Sequence, residues 1–392
     1  MHKKLFISAI RNKKMMFIGL FFVLFFLYIF TSEGNTPFNY FVRLADAFLN
    51  GRYWITENPP LLSELIPAEG GKFYILYPPM PALLVLPFVA FFGTSFPQQY
   101  VAHLVGAGLS VLVAQMALLL TRSKKIALWA GILCGAGSIV WYLSEVGSVW
   151  YLGQLSAAFF LTLAIVVLLS KGKPFLIGLF LGFAYLSRVH TILSLPFFIF
   201  ATKKKMALKE LVLMALPIVI IGILDSLYNL VRFGVPWNNG YFLIPGTLDE
   251  PWFAKGIMHP SYIIEDIKIA FLRLPNFYSS FPYIQPSWAG LAIWITTPAF
   301  VFSLFAKWKE RIVKLAWLAI LLIFLVVGFH GGTGFAQFGY RFAVDFYPFL
   351  FLLTIKGVYE TGLKKIHWLL LILGFVVNLW GVAWINKGWV SY

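Results

Sequence analysis

The chain has 392 residues, 60% hydrophobic and 19% aromatic with only 12% charged, and its apolar runs alternate with short basic clusters. That describes a polytopic helical membrane protein and excludes a soluble or disordered chain. Thirty-one Lys and Arg against 15 Asp and Glu give a formal charge of +16, but the basic residues fall in short loops, which points to orientation in a membrane rather than to a nucleic-acid surface. The single cysteine, Cys134, excludes an internal disulfide and a cysteine metal cluster.

The N-terminus, MHKKLFISAIRNKK followed by MMFIGLFFVLFFLYIF, has the charge and apolar run of a secretory signal. TSEGNTP after it offers no small-residue cleavage site, so it reads as an uncleaved signal anchor. Next, Asn39, Arg43, Asp46 and Asn50 recur at helical spacing, Phe41, Leu44, Ala45, Phe48 and Leu49 cover the other side, and Gly51 is a natural stop. The pattern predicts an amphipathic helix on the membrane surface with Asp46 facing water or a cleft; the plainer alternative is a solvated face with an Arg43–Asp46 pair.

The stretch KFYILYPPMPALLVLPFVAFFG, Lys72 to Gly93, then decides the topology. Its 13 apolar residues from Met80 to Phe92 fall short of the roughly 20 that a helical span needs, and Pro81 and Pro87 remove helix donors. If it does not cross, eleven spans follow, near 15–31, 99–121, 125–143, 151–170, 174–187, 190–202, 209–231, 288–306, 312–330, 343–359 and 366–385, and the basic residues divide 21 inside and 10 outside. If it crosses, they divide 12 inside and 19 outside, against the positive-inside bias. The stretch is therefore interfacial or re-entrant, the N-terminus cytoplasmic and the C-terminus outside. One all-α domain, 1–392, results, with two long outer segments, 32–98 and 232–287, the first carrying interfacial helices. Only Glu210, Glu310 and Glu360 lie inside, so function is sought on the outer face.

Two apolar runs, PFLIGLFLGFAYLS and HTILSLPFFIFAT, are short, and their tip Ser187-Arg188-Val189-His190 should stop about 10 Å below the outer surface of the hydrocarbon core. Ionisable groups at such depth are functional candidates; the alternative is an Arg188 that snorkels to the interface. Asp225, Asn229 and Arg232 form a polar stripe near the end of the seventh span, best read as a structural ion pair. The late loop HGGTGFAQFGYRFAVDFYPF joins His330, flexible glycines, Tyr340, Arg341 and Asp345; glycines admit a ligand close to the backbone and arginine suits phosphate, while a tight turn with an interfacial aromatic belt is the alternative. There is no P-loop, HExxH or GxSxG, which withdraws support from ATP-driven transport, zinc hydrolysis and acyl transfer.

Taken together, ADAFLNGRYWI, GKFYILYPPMPALLVLPFVAFFG, LSRVH, YNLVRFGVPWNNGY and FGYRFAVDFYPF resemble the GT-C superfamily of membrane glycosyltransferases, of the dolichyl-phosphate-mannose protein mannosyltransferase type. The resemblance implies a hexosyltransferase of the plasma (inner) membrane that takes a sugar from a polyprenyl-phosphate carrier to a glycan, lipid or protein acceptor on the extracytoplasmic face. It implies contact with membrane lipid, no cofactor and no nucleic acid. Arg188, His190, Tyr340 and Arg341 would hold the donor phosphate. The family places an acid in the first outer loop as base or acceptor-orienting group; the matching position here is Thr36-Pro37-Phe38, without an acid. The nearest carboxylates are Asp46, flanked by Asn39, Arg43 and Asn50, and then Glu33. Two rival readings are a transporter or flippase for a lipid-linked or small polar substrate, and a catalytically silent scaffold of the same fold. A transporter would show repeats in corresponding halves, and none is apparent.

Overall fold

The computed structural model describes residues 2–201, 206–287, 289–334 and 337–386, with backbone alone before Lys14. The basic run Lys203 to Lys205, which follows the second short apolar run, and the start of the expected span at Trp288 lie outside the described residues. A long apolar helix, α1 (His2–Thr31), leads into a segment holding α2 (Tyr40–Leu49), an antiparallel hairpin β1 (Leu65–Ala68) and β2 (Lys72–Ile75), and α3 (Met80–Phe92). Then come α4 (Gln99–Thr121), α5 (Lys124–Ala136), α6 (Val140–Val146), α7 (Val149–Leu169), α8 (Pro174–Tyr185), α9 (Leu195–Phe200) and α10 (Leu208–Phe233). A second long segment carries α11 (Ile263–Leu272) and a two-residue pairing of β3 (Asn276–Phe277) with β4 (Ile284–Gln285). The chain closes with α12 (Ile293–Thr296), α13 (Arg311–Gly328), α14 (Tyr347–Thr361) and α15 (Lys365–Asn386).

Among the described residues six helices are long and apolar enough to cross a membrane, and α5 with α6, bent by 50° at their junction, makes a seventh crossing when taken as one span. The other four of the eleven expected spans are shorter elements. α8 stops after 12 residues. The next segment is a 3-10 turn, Val189–Ser194, followed by six residues of α9. α12 gives way at Thr297-Pro298 to a 3-10 run, Pro298–Phe305, because proline offers no donor to continue the helix. A buried carbonyl at this helix end is satisfied from another helix: Asn378 of α15 donates to Thr296 O at 2.7 Å. α14 has 15 residues. Broken helices of this kind are tolerated at membrane depth only where neighbours satisfy the freed backbone groups.

Ser32, just past α1, donates to Glu145 O at 2.7 Å, and Gln98, at the start of α4, donates to Gly147 O at 2.9 Å while its Oε1 accepts from Phe41 N at 3.1 Å. The end of α1 and the start of α4 therefore lie side by side, and residues 32–98 return to the face they left, which we term the loop face. α3 lies along it: Met80, Ala82, Val85 and Val89 are buried, Leu83, Phe91 and Phe92 are exposed, and Met80 N donates to Leu186 O at the tip of α8 at 3.0 Å. The opposite, basic face joins 306–311 to 356–365 through Lys356–Glu310 at 2.8 Å and a Lys307–Glu360 pair.

Close helix contacts depend on glycine. A Cβ on Gly178 of α8 would stand 1.9 Å from Met214 O of α10, and one on Gly357 of α14 would stand 1.8 Å from Phe302 O. Small residues at such crossings let backbones approach where lipid supplies no hydrophobic drive.

α2 forms where the amphipathic pattern predicts it. Phe41, Leu44 and Ala45 are buried as expected, joined by Tyr40, Val42 and Ala47, whereas Leu49 is exposed. The expected Arg43–Asp46 pair is not formed. Arg43 Nε donates to Asn39 Oδ1 at 3.2 Å and the side chain pairs with Glu57, while Asp46 faces Arg52 at 3.7 Å. The β1–β2 hairpin was not anticipated; it turns through Gly70 and Gly71, at φ of 71° and 70°, which glycine adopts without steric cost.

Candidate active site

The tip of the short hairpin and the late loop meet. α8 ends at Tyr185, so Arg188 is carried by the turn before the 3-10 segment, whose second residue is His190. Asp345 closes a short 3-10 turn, Arg341–Asp345, ahead of α14 and is fully buried. Its Oδ2 accepts from Arg188 Nε at 3.1 Å and His190 Nε2 at 2.8 Å, with Arg188 Nη2 also at 3.1 Å. A carboxylate holding two basic groups on one oxygen fixes their geometry but only partly neutralises them. Arg188 keeps its other terminal nitrogen outside this pair and remains partly accessible, at 22% of its side-chain surface.

Arg341 arrives from the other side. Its guanidinium carbon lies 5.1 Å from the Phe342 ring centroid and that of Arg188 5.7 Å from the same centroid, so the two cations share one ring. Arg341 is held by its backbone: its N–H donates to Gln337 Oε1 at 2.9 Å and its carbonyl accepts from Gln154 of α7 at 3.2 Å. Its buried Nε has no hydrogen-bond partner among the described residues. The guanidinium also faces Trp150 and Tyr151 of α7, at 5.8 and 5.5 Å. An arginine oriented by rings and left short of acceptors is suited to an anion.

Tyr340 meets the Phe342 ring, at 6.0 Å between centroids, but its hydroxyl is committed elsewhere. Its hydroxyl donates to Asp266 Oδ1 of α11 at 2.7 Å, both residues being fully buried. Burial lifts the Asp266 carboxyl to about 7, the Tyr340 bond opposing the rise and Glu265 adding to it. Tyr340 precedes the 3-10 turn with a ψ of 87°, outside the helical region, and ties the late loop to α11, while Arg341 on the turn faces α7.

Neither carboxylate favoured by the sequence stands beside the cations. Asp46 opens on a cleft lined by Arg43, Arg52, Trp54, Glu57 and Thr94, and accepts from Asn50 at 3.4 Å. Glu33 is exposed just past α1. The carboxylate that does reach the cluster is Glu64, which sequence reading missed. It precedes β1, its backbone N–H donates to Tyr40 Oη of α2 at 3.1 Å, and its Oε2 accepts from Trp150 Nε1 at 3.1 Å. Burial pushes its carboxyl up to about 7; the Trp150 bond and Arg341 pull down, and Glu250 pushes up. Tyr241 stands within electrostatic reach of Glu64, Arg188 and Arg341, its ring 5.6 Å from that of His330. Among the described residues no three His, Cys, Asp or Glu side chains are grouped to hold a metal ion.

Behind the tip, Tyr185 donates to Asp225 Oδ2 at 2.8 Å, Asn229 donates to the same oxygen at 3.2 Å, Arg232 donates to Asn229 at 2.7 Å, and Arg232 Nη1 reaches Ile75 O of β2 at 2.6 Å. The polar stripe on α10 is thus a ladder joining the hairpin tip to the β-hairpin.

An integral multi-pass bundle with broken spans and its polar cluster at one membrane face has the fold of the GT-C membrane glycosyltransferases. The solved structures it resembles include ArnT from Cupriavidus metallidurans in the apo state, with a TM-score of 0.58 at 15% identity over 98% of this chain and 66% of ArnT. ArnT bound to undecaprenyl phosphate matches with a TM-score of 0.53 at 14% identity over 95% of this chain and 64% of ArnT. This chain therefore spans about two-thirds of ArnT's length, and at such identities the likeness is one of fold. No family model matches the sequence, and no curated protein matches it.

Proposed function

We propose that the protein is a glycosyltransferase that takes a hexose from a polyprenyl-phosphate carrier and adds it to an acceptor at the loop face, and that this face is extracytoplasmic. The observation that supports this most directly is the meeting of Arg188 and Arg341 at the one ring of Phe342, within a fold shared with a protein solved in complex with undecaprenyl phosphate. Breaking the bond between a sugar and a lipid phosphate leaves negative charge on the phosphate at the membrane boundary. Preoriented guanidinium groups would stabilise that charge as it develops. His190, locked to Asp345, holds the carboxylate that aims Arg188. Trp150 and Tyr241 offer ring faces suited to a sugar.

The test is binding of undecaprenyl phosphate to the purified full-length protein. Hydrogen bonds to charged groups contribute about 1.5–3 kcal/mol, so Arg341→Ala should weaken the lipid phosphate by about 10- to 100-fold. Turnover of a panel of undecaprenyl-phosphate hexoses then names the donor. Wild-type protein that does not bind the lipid phosphate would overturn the proposal.

A further inference from the structure

Resting on that reading, we infer that Glu64 is the group that takes the proton from the acceptor hydroxyl, in place of Asp46 or Glu33. Three placements carry the assignment.

The first is position. Trp150 serves both reacting sides: its Nε1 donates to Glu64 Oε2 at 3.1 Å, and its ring lies 5.8 Å from the guanidinium carbon of Arg341. Glu64 and Arg341 face the same indole, yet no ion pair joins them. A displacement at a sugar carbon needs the leaving phosphate on one side and the entering hydroxyl on the other, with the base within hydrogen-bond reach of that hydroxyl. A carboxylate and a phosphate-binding cation set apart across a ring provide this division.

The second is availability. Asp345 is fully buried and its Oδ2 is committed to Arg188 and His190. Asp46 is engaged by Arg52 and Asn50 in another cleft. Glu64 is only half-buried, and among the described residues Trp150 is its sole side-chain hydrogen-bond partner.

The third is support. The main chain of Glu64 is pinned to the fully buried Tyr40, and the strand that follows is paired throughout with β2. The charged and titratable groups facing the carboxyl are Arg341, Glu250, Tyr40 and Tyr241. Burial outweighs their effects and brings its pKa to about 7, matched to proton transfer near neutrality.

In the step itself the acceptor O–H bond breaks and its proton passes to Glu64. The freed oxygen pair forms the new bond to the anomeric carbon. The bond from that carbon to the phosphate oxygen breaks, and its electron pair remains on the lipid phosphate, facing Arg341 and Arg188.

The experiment compares wild type, Glu64→Gln and Glu64→Asp in proteoliposomes. Turnover is measured with the active undecaprenyl-phosphate hexose from the panel, and lipid-phosphate binding is measured separately. Glu64→Gln should lose about 100-fold or more in turnover, bind undecaprenyl phosphate within about twofold of wild type, and regain transfer when azide, which needs no deprotonation, replaces the hydroxyl acceptor. Wild-type turnover should rise as pH passes about 7, and that rise should vanish in the Gln variant and persist in the Asp variant. Near-normal turnover in Glu64→Gln with binding intact overturns this assignment alone, as does loss without azide rescue. Wild-type protein that does not bind undecaprenyl phosphate overturns the functional reading beneath it.

Discussion

Arg188 shows why one residue's chemistry cannot be exchanged for its charge. It meets Asp345 through Nε and Nη2 together and keeps its other terminal nitrogen free of that pair, a division that a planar five-donor fork permits and a lysine ammonium does not. Arg188→Lys should therefore keep the charge, lose the side-on grip on Asp345, and weaken undecaprenyl phosphate by about tenfold or more; unchanged affinity would remove Arg188 from the site. Arg188 was legible from sequence because a cation at the tip of two half-length apolar runs lies below the membrane surface. Tyr340, expected at the donor phosphate with Arg341, gives its hydroxyl to Asp266, a direction that sequence adjacency to Arg341 does not reveal. Glu64 was invisible for a different reason. In ENPPLLSELIPAEGG it is an ordinary loop acid, and only tertiary contacts with Tyr40 and Trp150, 24 and 86 residues away in sequence, set it against Arg341.

Whole elements were legible to the extent that hydrophobic period and length define them. The long apolar helices and the amphipathic α2 follow from pattern alone. The break near Ser187 was read as the tip of two short runs, whereas the one at Thr297-Pro298 fell inside the expected span 288–306, where the proline ends the helix and Asn378 of α15 bonds Thr296 O. α11 illustrates the energetic side. It carries Asp266 into a fully buried position where its single hydrogen bond comes from Tyr340 and Oδ2 has none among the described residues. Its folded pKa of about 7 lies above the ordinary Asp value of 3.8. Between these values the folded state holds a proton that the unfolded chain releases, so stability from this group is fully present below about pH 3.8 and is lost as pH rises from there to about 7. Asp266→Asn keeps an acceptor for Tyr340 and cannot ionise. It should match wild type only below about pH 4 and exceed it above pH 7 by an amount on the order of 2–4 kcal/mol, read as a rise in Tm in detergent. Equal melting at pH 8 would show that Asp266 does not hold its proton in the folded state.

At the scale of the molecule, charge separates the two faces. On the basic face, Glu310 and Glu360 are both paired with lysines and Glu210 Oε2 accepts from Ala207 N at 2.8 Å, while Lys124, Lys125, Lys171, Lys173, Lys309, Arg311, Lys364 and Lys365 add uncompensated charge. The loop face holds most of the acids, among them Glu64, Asp266 and Asp345. Translocation retains clustered lysines and arginines in short loops on the cytoplasmic side, so the basic face should be cytoplasmic and the Arg188–Arg341 cluster should lie outside. Geometry makes this testable with few probes, because α13 runs from Arg311 on the basic face to Gly328, beyond which His330 pairs with Met258 of the second long segment. Ser63 and Ser95, on either side of α3, and Lys309, before α13, are all exposed, and the native Cys134 is buried. In a Cys134→Ala background, Ser63→Cys and Ser95→Cys should both react with an impermeant thiol reagent in intact cells, and Lys309→Cys only after permeabilisation. Reaction of Lys309→Cys alone in intact cells would invert the molecule and place the candidate site on the cytoplasmic side. Reaction of Ser63→Cys without Ser95→Cys would mean that the chain between them crosses, contrary to the side-by-side packing of α1 and α4 at Ser32 and Gln98.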